Sequence, residues 1–324
     1  MDKGEDEVKE IGGYLELDRY KGAIYHEDAV ALNCGRNCLA YLMETKRIKK
    51  LYLPYFCCDS VVQPCRKYGV EIERYHISAN FRPVFDKVLG ADEWLYIVNF
   101  YGQISNEEVE VWRRKFEQVI FDNAQAYFQK PVEGIDTLYT CRKFFGVTDG
   151  AFLYTKERLY DIERDESFDR MRFVLGRFER TASEFYKEST DNNEFFADEP
   201  VKLMSMLTEN LLRAIDYPAV EDRRTENFSY LHEQLKAKNW LNLNIPTGAY
   251  MYPFYCKNGV MVRKELQAKK IYIPTLWPDV FDVCNPDSLE CNYAMNILPL
   301  PVDQRYTLED MEYILEELES CAAN

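Results

Sequence analysis

Two apolar runs set the frame for this chain. Trp94-Leu95-Tyr96-Ile97-Val98-Asn99-Phe100 is apolar almost throughout, as a strand covered on both faces must be. The next run, Val119-Ile120-Phe121, ends in Asp122, and between the two a capping box, Ser105-x-x-Glu108, opens a helix to Glu117. Upstream, Leu51-Tyr52-Leu53 reads as a strand ending at Pro54, followed by a helix through Tyr68 that Pro64 should kink, and Val70 to Ile77 alternates as a strand. Strands alternating with helices at these lengths predict an α/β fold: a mostly parallel sheet with helices on both faces and ligands at the carboxyl ends of the strands. Pro54 to Asp59, Asn99 to Gln103 and Asp122 to Gln125 all fall there.

Beyond Asp122-Asn123-Ala124-Gln125 the chain makes a polar turn and enters Asp136-Thr137-Leu138-Tyr139-Thr140-Cys141-Arg142-Lys143, then Asp149-Gly150-Ala151-Phe152-Leu153-Tyr154-Thr155. A carboxylate at the end of a buried strand, with a lysine about twenty residues on between two further strands, suits a bound heterocycle that needs one group on each side. The alternative is a sheet with a capping Asp and a surface Lys. Near the start, Val30-Ala31-Leu32 leads into Asn33-Cys34-Gly35-Arg36-Asn37 and a helical run from Cys38 to Met43. This places a glycine at a helix start, where free amides and the positive dipole end favour a phosphate, or else marks an Asn-capped helix.

Composition narrows the function. At 324 residues and 47% hydrophobic, the chain is long enough for one large domain and a smaller one. A net charge of −15 opposes nucleic acid and an anionic membrane surface alike, so an anionic substrate must be held by local cations and amides. No apolar run approaches the roughly 20 residues that span a bilayer, and the mostly charged first twelve residues argue against a signal peptide, so a soluble cytoplasmic protein is expected. The ten cysteines sit in apolar contexts and read as reduced; none forms a Cys-x-x-Cys pair, and with His26, His76 and His232 isolated in sequence no metal site is expected.

Residues 1–28 form an N-terminal segment, with a poorly ordered start leading to a short helix or packing strand around Ile11 to Tyr20. After Thr155 long charged helices are predicted over Lys156 to Glu188 and Glu199 to Ala214, separated by Ser189 to Asn193; they extend a large domain over 29–217. A small α+β unit over 218–324 follows. In it Arg223 to Ala237, Val260 to Lys269 and Thr307 to Leu318 read as helices, and Gly248 to Cys256, Ile271 to Leu276 and Asn296 to Leu300 as strands.

Taken in order, Cys34-Gly35-Arg36-Asn37, Leu53-Pro54-Tyr55-Phe56-Cys57-Cys58, Phe100-Tyr101-Gly102-Gln103, Phe121-Asp122-Asn123-Ala124-Gln125 and Tyr139-Thr140-Cys141-Arg142-Lys143 with Asp149-Gly150-Ala151 resemble the DegT-type sugar aminotransferases. That family belongs to the fold type I class of pyridoxal-phosphate enzymes, and the ending Leu298 to Tyr306 is similar to the last strand of its small domain. The resemblance implies that Lys143 takes the cofactor covalently and then serves as general base. It implies that Asp122 pairs with the pyridine nitrogen, that Gln125 contacts the hydroxyl side of the ring, and that Gly35, Arg36 and Thr140 hold the phosphate. Cys58 stands where the family usually places an aromatic stacked on the ring, so Phe56, Tyr55 or Phe100 is left to cover it. The implied activity is transfer of an amino group, with glutamate as donor, to a keto-sugar that is nucleotide-linked and destined for surface polysaccharide, in a homodimer. Two other readings stay open: sulfur transfer or elimination on the same cofactor, since Cys57 and Cys58 lie beside the site, and a catalytically idle binding or assembly protein.

Overall fold

The structure is a computed structural model that describes residues 11–322, so the reading of a poorly ordered start over 1–10 lies outside the described residues. Eleven helices and ten strands are present among them: β1 (Val30–Leu32), α1 (Gly35–Thr45), β2 (Lys50–Pro54), α2 (Asp59–Tyr68), β3 (Glu71–Ile77), β4 (Pro83–Val84), β5 (Glu93–Val98), α3 (Asn106–Lys115), β6 (Val119–Asp122), β7 (Asp136–Thr140) and β8 (Ala151–Tyr154). Then follow α4 (Arg172–Glu179), α5 (Tyr186–Phe195), α6 (Met206–Leu212), α7 (Tyr217–Leu235), β9 (Met251–Tyr255), α8 (Gly259–Ala268), α9 (Val280–Val283), α10 (Leu289–Asn296), β10 (Ile297–Pro301) and α11 (Leu308–Ala322).

The first eight strands form one sheet in the order β1-β8-β7-β6-β5-β2-β3-β4. Its centre is parallel, as the unbroken apolar runs require: β2 pairs with β3 and β5, and β6 with β5 and β7. Antiparallel pairs close both sides, β8 with β7 and β1, and β4 with β3. The order reverses between β2 and β5, so a crevice opens beyond the carboxyl ends of those strands. Helix α3 carries the full capping box, with the Glu108 amide donating to Ser105 Oγ and the Ser105 amide to Glu108 Oε2. Helix α2 runs through Pro64 without a break in its span.

A separate two-stranded sheet pairs β9 with β10, and α7, α8 and α11 pack around it. Pro253 faces Pro299 in this ladder. Neither nitrogen can donate, which two strands that are both edges tolerate.

Several expected elements differ. The stretch around Ile11 to Tyr20 has no helix or strand: Ile11, Tyr14 and Leu15 are exposed and bury no common face, and Gly12 and Gly13 take positive φ. The two long helices expected after Thr155 are instead an extended passage and the short helices α4, α5 and α6. The charged periodicity is overridden by backbone pairing, because Leu203 bridges both Leu32 and Arg164 and the Leu203 amide donates to the Glu163 carbonyl at 2.8 Å. The supposed break at Ser189 to Asn193 lies inside α5, where buried Asn192 donates to the Thr148 carbonyl. Ile271 to Leu276 forms no strand among the described residues.

Asp149 fixes the return from this excursion. It is fully buried and accepts from the Ser205 amide at 2.7 Å, from Ser205 Oγ at 2.8 Å and from Thr208 Oγ1, tying the start of β8 to the start of α6. Next to it Gly150 has φ +113°, and a Cβ there would meet Thr208 and Cys141 at 3.0 and 3.1 Å. Removing the carboxylate strands three buried donors. Asp149→Ala is therefore expected to lower unfolding free energy by about 3 kcal/mol in chemical denaturation, whereas Asp191→Ala, which breaks the exposed pair with Lys187, leaves it nearly unchanged.

Candidate active site

The carboxyl ends of β6 and β7 carry Asp122 and Thr140, and Lys143 follows shortly after β7. Asp122 closes β6 and is buried; its Oδ2 accepts from the Tyr96 hydroxyl at 2.8 Å and its Oδ1 from the Ala124 amide at 2.7 Å. Burial pushes its carboxyl up, and the charge of Lys143 is the one cation that acts against this. Lys143 itself is exposed and forms no salt bridge among the described residues; its Nζ lies 5.5 Å from the centre of the Tyr250 ring. It lines a cavity of about 200 Å³ together with Arg142, Arg224, Asp303 and Arg305. A second, larger cavity of about 900 Å³ opens beyond Arg142 toward α4 and α5.

Cys58 lies within the field of both Asp122 and Lys143. It is the N-cap of α2, and its Sγ sits 2.6 Å from Ser60 Oγ. Its thiol is drawn down to about 6, first by the Cys57 thiol beside it and, against burial, by the Ser60 hydroxyl and the Lys143 charge. The positive end of α2 favours the same anion. None of the aromatics expected to cover a ring is free to do so. Phe56 packs against Trp277 at 4.3 Å and Phe100 at 5.4 Å, while Tyr55 lies against His76 at 4.6 Å.

At the start of α1 the N-cap is Cys34, which offers no side-chain cap, rather than an asparagine. Asn33 turns instead to Asn37 and Asp165. The Gly35 amide is left with no partner among the described residues, open space lies where a Cβ would stand, and the Arg36 amide has only the weakly accepting Cys34 sulfur beside it. The Thr140 hydroxyl, at the end of β7, also makes no hydrogen bond among the described residues. The Arg36 side chain points to Gln63, with Nε donating to Oε1 at 2.8 Å, so its amide rather than its guanidinium faces this opening.

Gln125 is buried, and its Oε1 accepts from the Tyr101 amide at 2.7 Å. That bond holds Tyr101 at φ 54°, a conformation a tyrosine rarely takes. The amide nitrogen of Gln125 has no partner among the described residues, so one end of the side chain has a structural task and the other is open.

Two contributors escaped the sequence reading. Tyr96 steadies Asp122 from the neighbouring strand, which no spacing rule shows because the pair forms across the sheet. Arg142 is the other: Cys34, Arg36 and Asp149 all act on it, its guanidinium stacks over Phe196 at 4.9 Å, and burial lowers its pKa to about 10. Its place next to Lys143 was the available signal.

The groups present fit pyridoxal phosphate. They offer a buried carboxylate for a protonated ring nitrogen, a lysine in no salt bridge among the described residues, and a helix start with open amides, the Thr140 hydroxyl and Arg142 for a phosphate.

Because ordinary thiols lose their proton near 9, a Cys58 thiol lowered to about 6 is already thiolate at neutral pH. Its alkylation by iodoacetamide, followed by peptide mass spectrometry, should rise through about pH 6 and then level off; a rate that climbs steadily to pH 9 contradicts this.

No protein-family model matches the chain, and no curated protein matches it in sequence. Solved structures do match. The sugar aminotransferase CalS13 of Micromonospora echinospora superimposes with a TM-score of 0.62 at 15% identity, covering 92% of this chain and 88% of its own. The aminotransferase TlmJ of Streptoalloteichus hindustanus gives 0.60 at 18% identity, covering 91% and 86%. The GDP-4-keto-6-deoxy-D-mannose-3-dehydratase of E. coli, with bound hydrated PLP, gives 0.59 at 15% identity, covering 90% and 87%. Over nearly its whole length, then, this chain has the fold type I architecture of the pyridoxal-phosphate aminotransferases.

Proposed function

We propose that the protein is a pyridoxal-phosphate-dependent aminotransferase that moves an amino group from glutamate to a keto-sugar. The observation that carries this reading is the buried Asp122 carboxylate, opposed by the charge of Lys143, which forms no salt bridge among the described residues. When bound, the cofactor supplies a carbonyl that exchanges amino groups and a ring that accepts electrons. The chain supplies the rest. Asp122, steadied by Tyr96, would keep the ring nitrogen protonated; Lys143 would take the cofactor and carry protons at its Nζ; the Gly35 and Arg36 amides and the Thr140 hydroxyl would hold the phosphate; and the open nitrogen of Gln125 would meet the ring's hydroxyl side. Cys58 would take the place of an aromatic stacked on the ring, since it lies within the field of both Lys143 and Asp122.

Arg305 lines the cavity beside Lys143; its Nε and Nη2 pair with Asp303, and its Nη1 is left for a carboxylate of the donor or a phosphate of a nucleotide-linked sugar, which a net charge of −15 would otherwise repel, whereas Arg224 is buried and spends its donors inside the protein. Supply of amino sugars for surface polysaccharide is the role that fits such a substrate. The large unit over 29–217 and the small one over 218–324 belong to the same proposal, supported by the separate β9–β10 sheet. All ten cysteines are free, which supports a reducing, cytoplasmic location. A homodimer is supported by the apolar surface next to Arg142, where Phe178 is 92% exposed, together with Leu175 and Tyr186.

A second reading keeps the cofactor and uses the Cys58 thiolate for sulfur transfer or elimination, because that thiol lies within the field of Lys143. Release of sulfide from cysteine at rates above those of transamination would favour it.

With pyridoxal phosphate bound, the protein should absorb near the visible edge, and glutamate should convert the cofactor to its amine form. Lys143→Ala is expected to lower the rate of that half-reaction by about a hundredfold or more while the far-ultraviolet circular dichroism is unchanged. A wild-type spectrum that glutamate leaves unaltered overturns the assignment of transamination. Sedimentation should find a dimer that Phe178→Asp dissociates.

A further inference from the structure

We propose that His76, Cys284 and Glu290 form a zinc-class metal site that clamps β3 of the large sheet to the C-terminal α9–α10 segment. Their donor atoms lie within 4.8 Å of one another, although the residues come from three separate places in the chain. His76 stands on β3, with Nδ1 3.1 Å from Glu290 Oε1. Glu290 stands in the first turn of α10 and is 1% exposed; its Oε1 also accepts from the Ile77 amide at 2.9 Å. Cys284 ends α9.

An ion pair between His76 and Glu290 does not account for the whole arrangement. It engages Oε1 alone and leaves Glu290 Oε2 buried with no hydrogen-bond partner. A buried, unpartnered carboxylate oxygen is costly, and a cation is the partner that suits it. The third donor is a sulfur, and a set of one thiolate, one imidazole and one carboxylate matches Zn²⁺ in softness, charge and number, leaving a fourth position for water. Zinc bond lengths of about 2.0–2.3 Å place tetrahedral ligand atoms roughly 3.3–3.8 Å apart, so the widest pair of donors would approach by about 1 Å on binding. The side chain of His76 is 58% exposed, which gives an ion its way in. The ring of Tyr55 lies against that imidazole, 4.6 Å between centres, and holds its plane. Arg74 is the cation near Cys284; its Nη1 is engaged by the Pro54 carbonyl at 3.2 Å.

The sequence showed no such site because its members are not in one motif: His76 and Glu290 are 214 positions apart. Only the packing of α10 against β3 joins them.

The test is titration of the chelator-stripped, full-length protein with Co²⁺. The expected result is stoichiometric binding with a sulfur-to-cobalt charge-transfer band, displaced by Zn²⁺, and a higher melting temperature of the zinc-loaded form. Cys284→Ser should abolish the band, and His76→Ala, a change at an exposed side chain, should weaken binding about tenfold or more and remove the thermal shift. Absence of the band in the wild-type protein overturns the proposal, as does a band that persists at full strength in Cys284→Ser, which would place the metal on other cysteines.

Discussion

The structure depends on a charge placed where water cannot solvate it. Asp122 ends a strand in the middle of the sheet, and a desolvated carboxylate is disfavoured by several kcal/mol unless something compensates. Two hydrogen bonds, from Tyr96 and from the Ala124 amide, meet part of that cost. The charge of Lys143 acts in the same direction. The topology serves this arrangement. Parallel β5, β6 and β7 point their carboxyl ends the same way, so the end of β6 faces the crevice and the chain leaving β7 passes over it with Thr140, Arg142 and Lys143. Antiparallel β8 and β1 then bring the start of α1 alongside.

Much of this frame could be read from local pattern. The strands β2, β3, β5 and β6 follow from apolar runs bounded by polar or proline residues, and α3 from Ser105 and Glu108, whose reciprocal bonds are made within one turn. Such signals are local because the groups that satisfy one another are near in sequence. The region after Thr155 was misread for the opposite reason. Its charged periodicity is real, but Leu203 pairs with Leu32 across the chain, and Asp149 takes its partners from Ser205 and Thr208. Contacts at that separation leave no trace in a window of helical length.

The site was legible to the same degree. Gly35, Asp122 and Lys143 stand out because a glycine before a helix and a carboxylate ending an apolar run are visible as text. The crevice between β2 and β5, the support from Tyr96 and the gathering of Arg142 with Arg36 exist only once the sheet order is known. Cys58 is the clearest case of a residue whose meaning changed. In sequence it is a missing aromatic; in the fold it is a thiol at the start of α2, lowered to about 6, within reach of the Lys143 charge. Phe56 and Phe100, which sequence alone would let cover a ring, are held in a cluster with Trp277.

The central claim is that the amine of Lys143 and the carboxylate of Asp122 face one ligand from opposite sides. Incubation with pyridoxal phosphate, reduction with borohydride and peptide mapping measure this directly, since reduction freezes the cofactor on whichever amine has taken it. A phosphopyridoxyl group on Lys143 alone, formed less readily when Asp122 is changed to Ala, is the predicted result. Label spread over surface lysines, or label on Lys143 that is indifferent to Asp122, would contradict it.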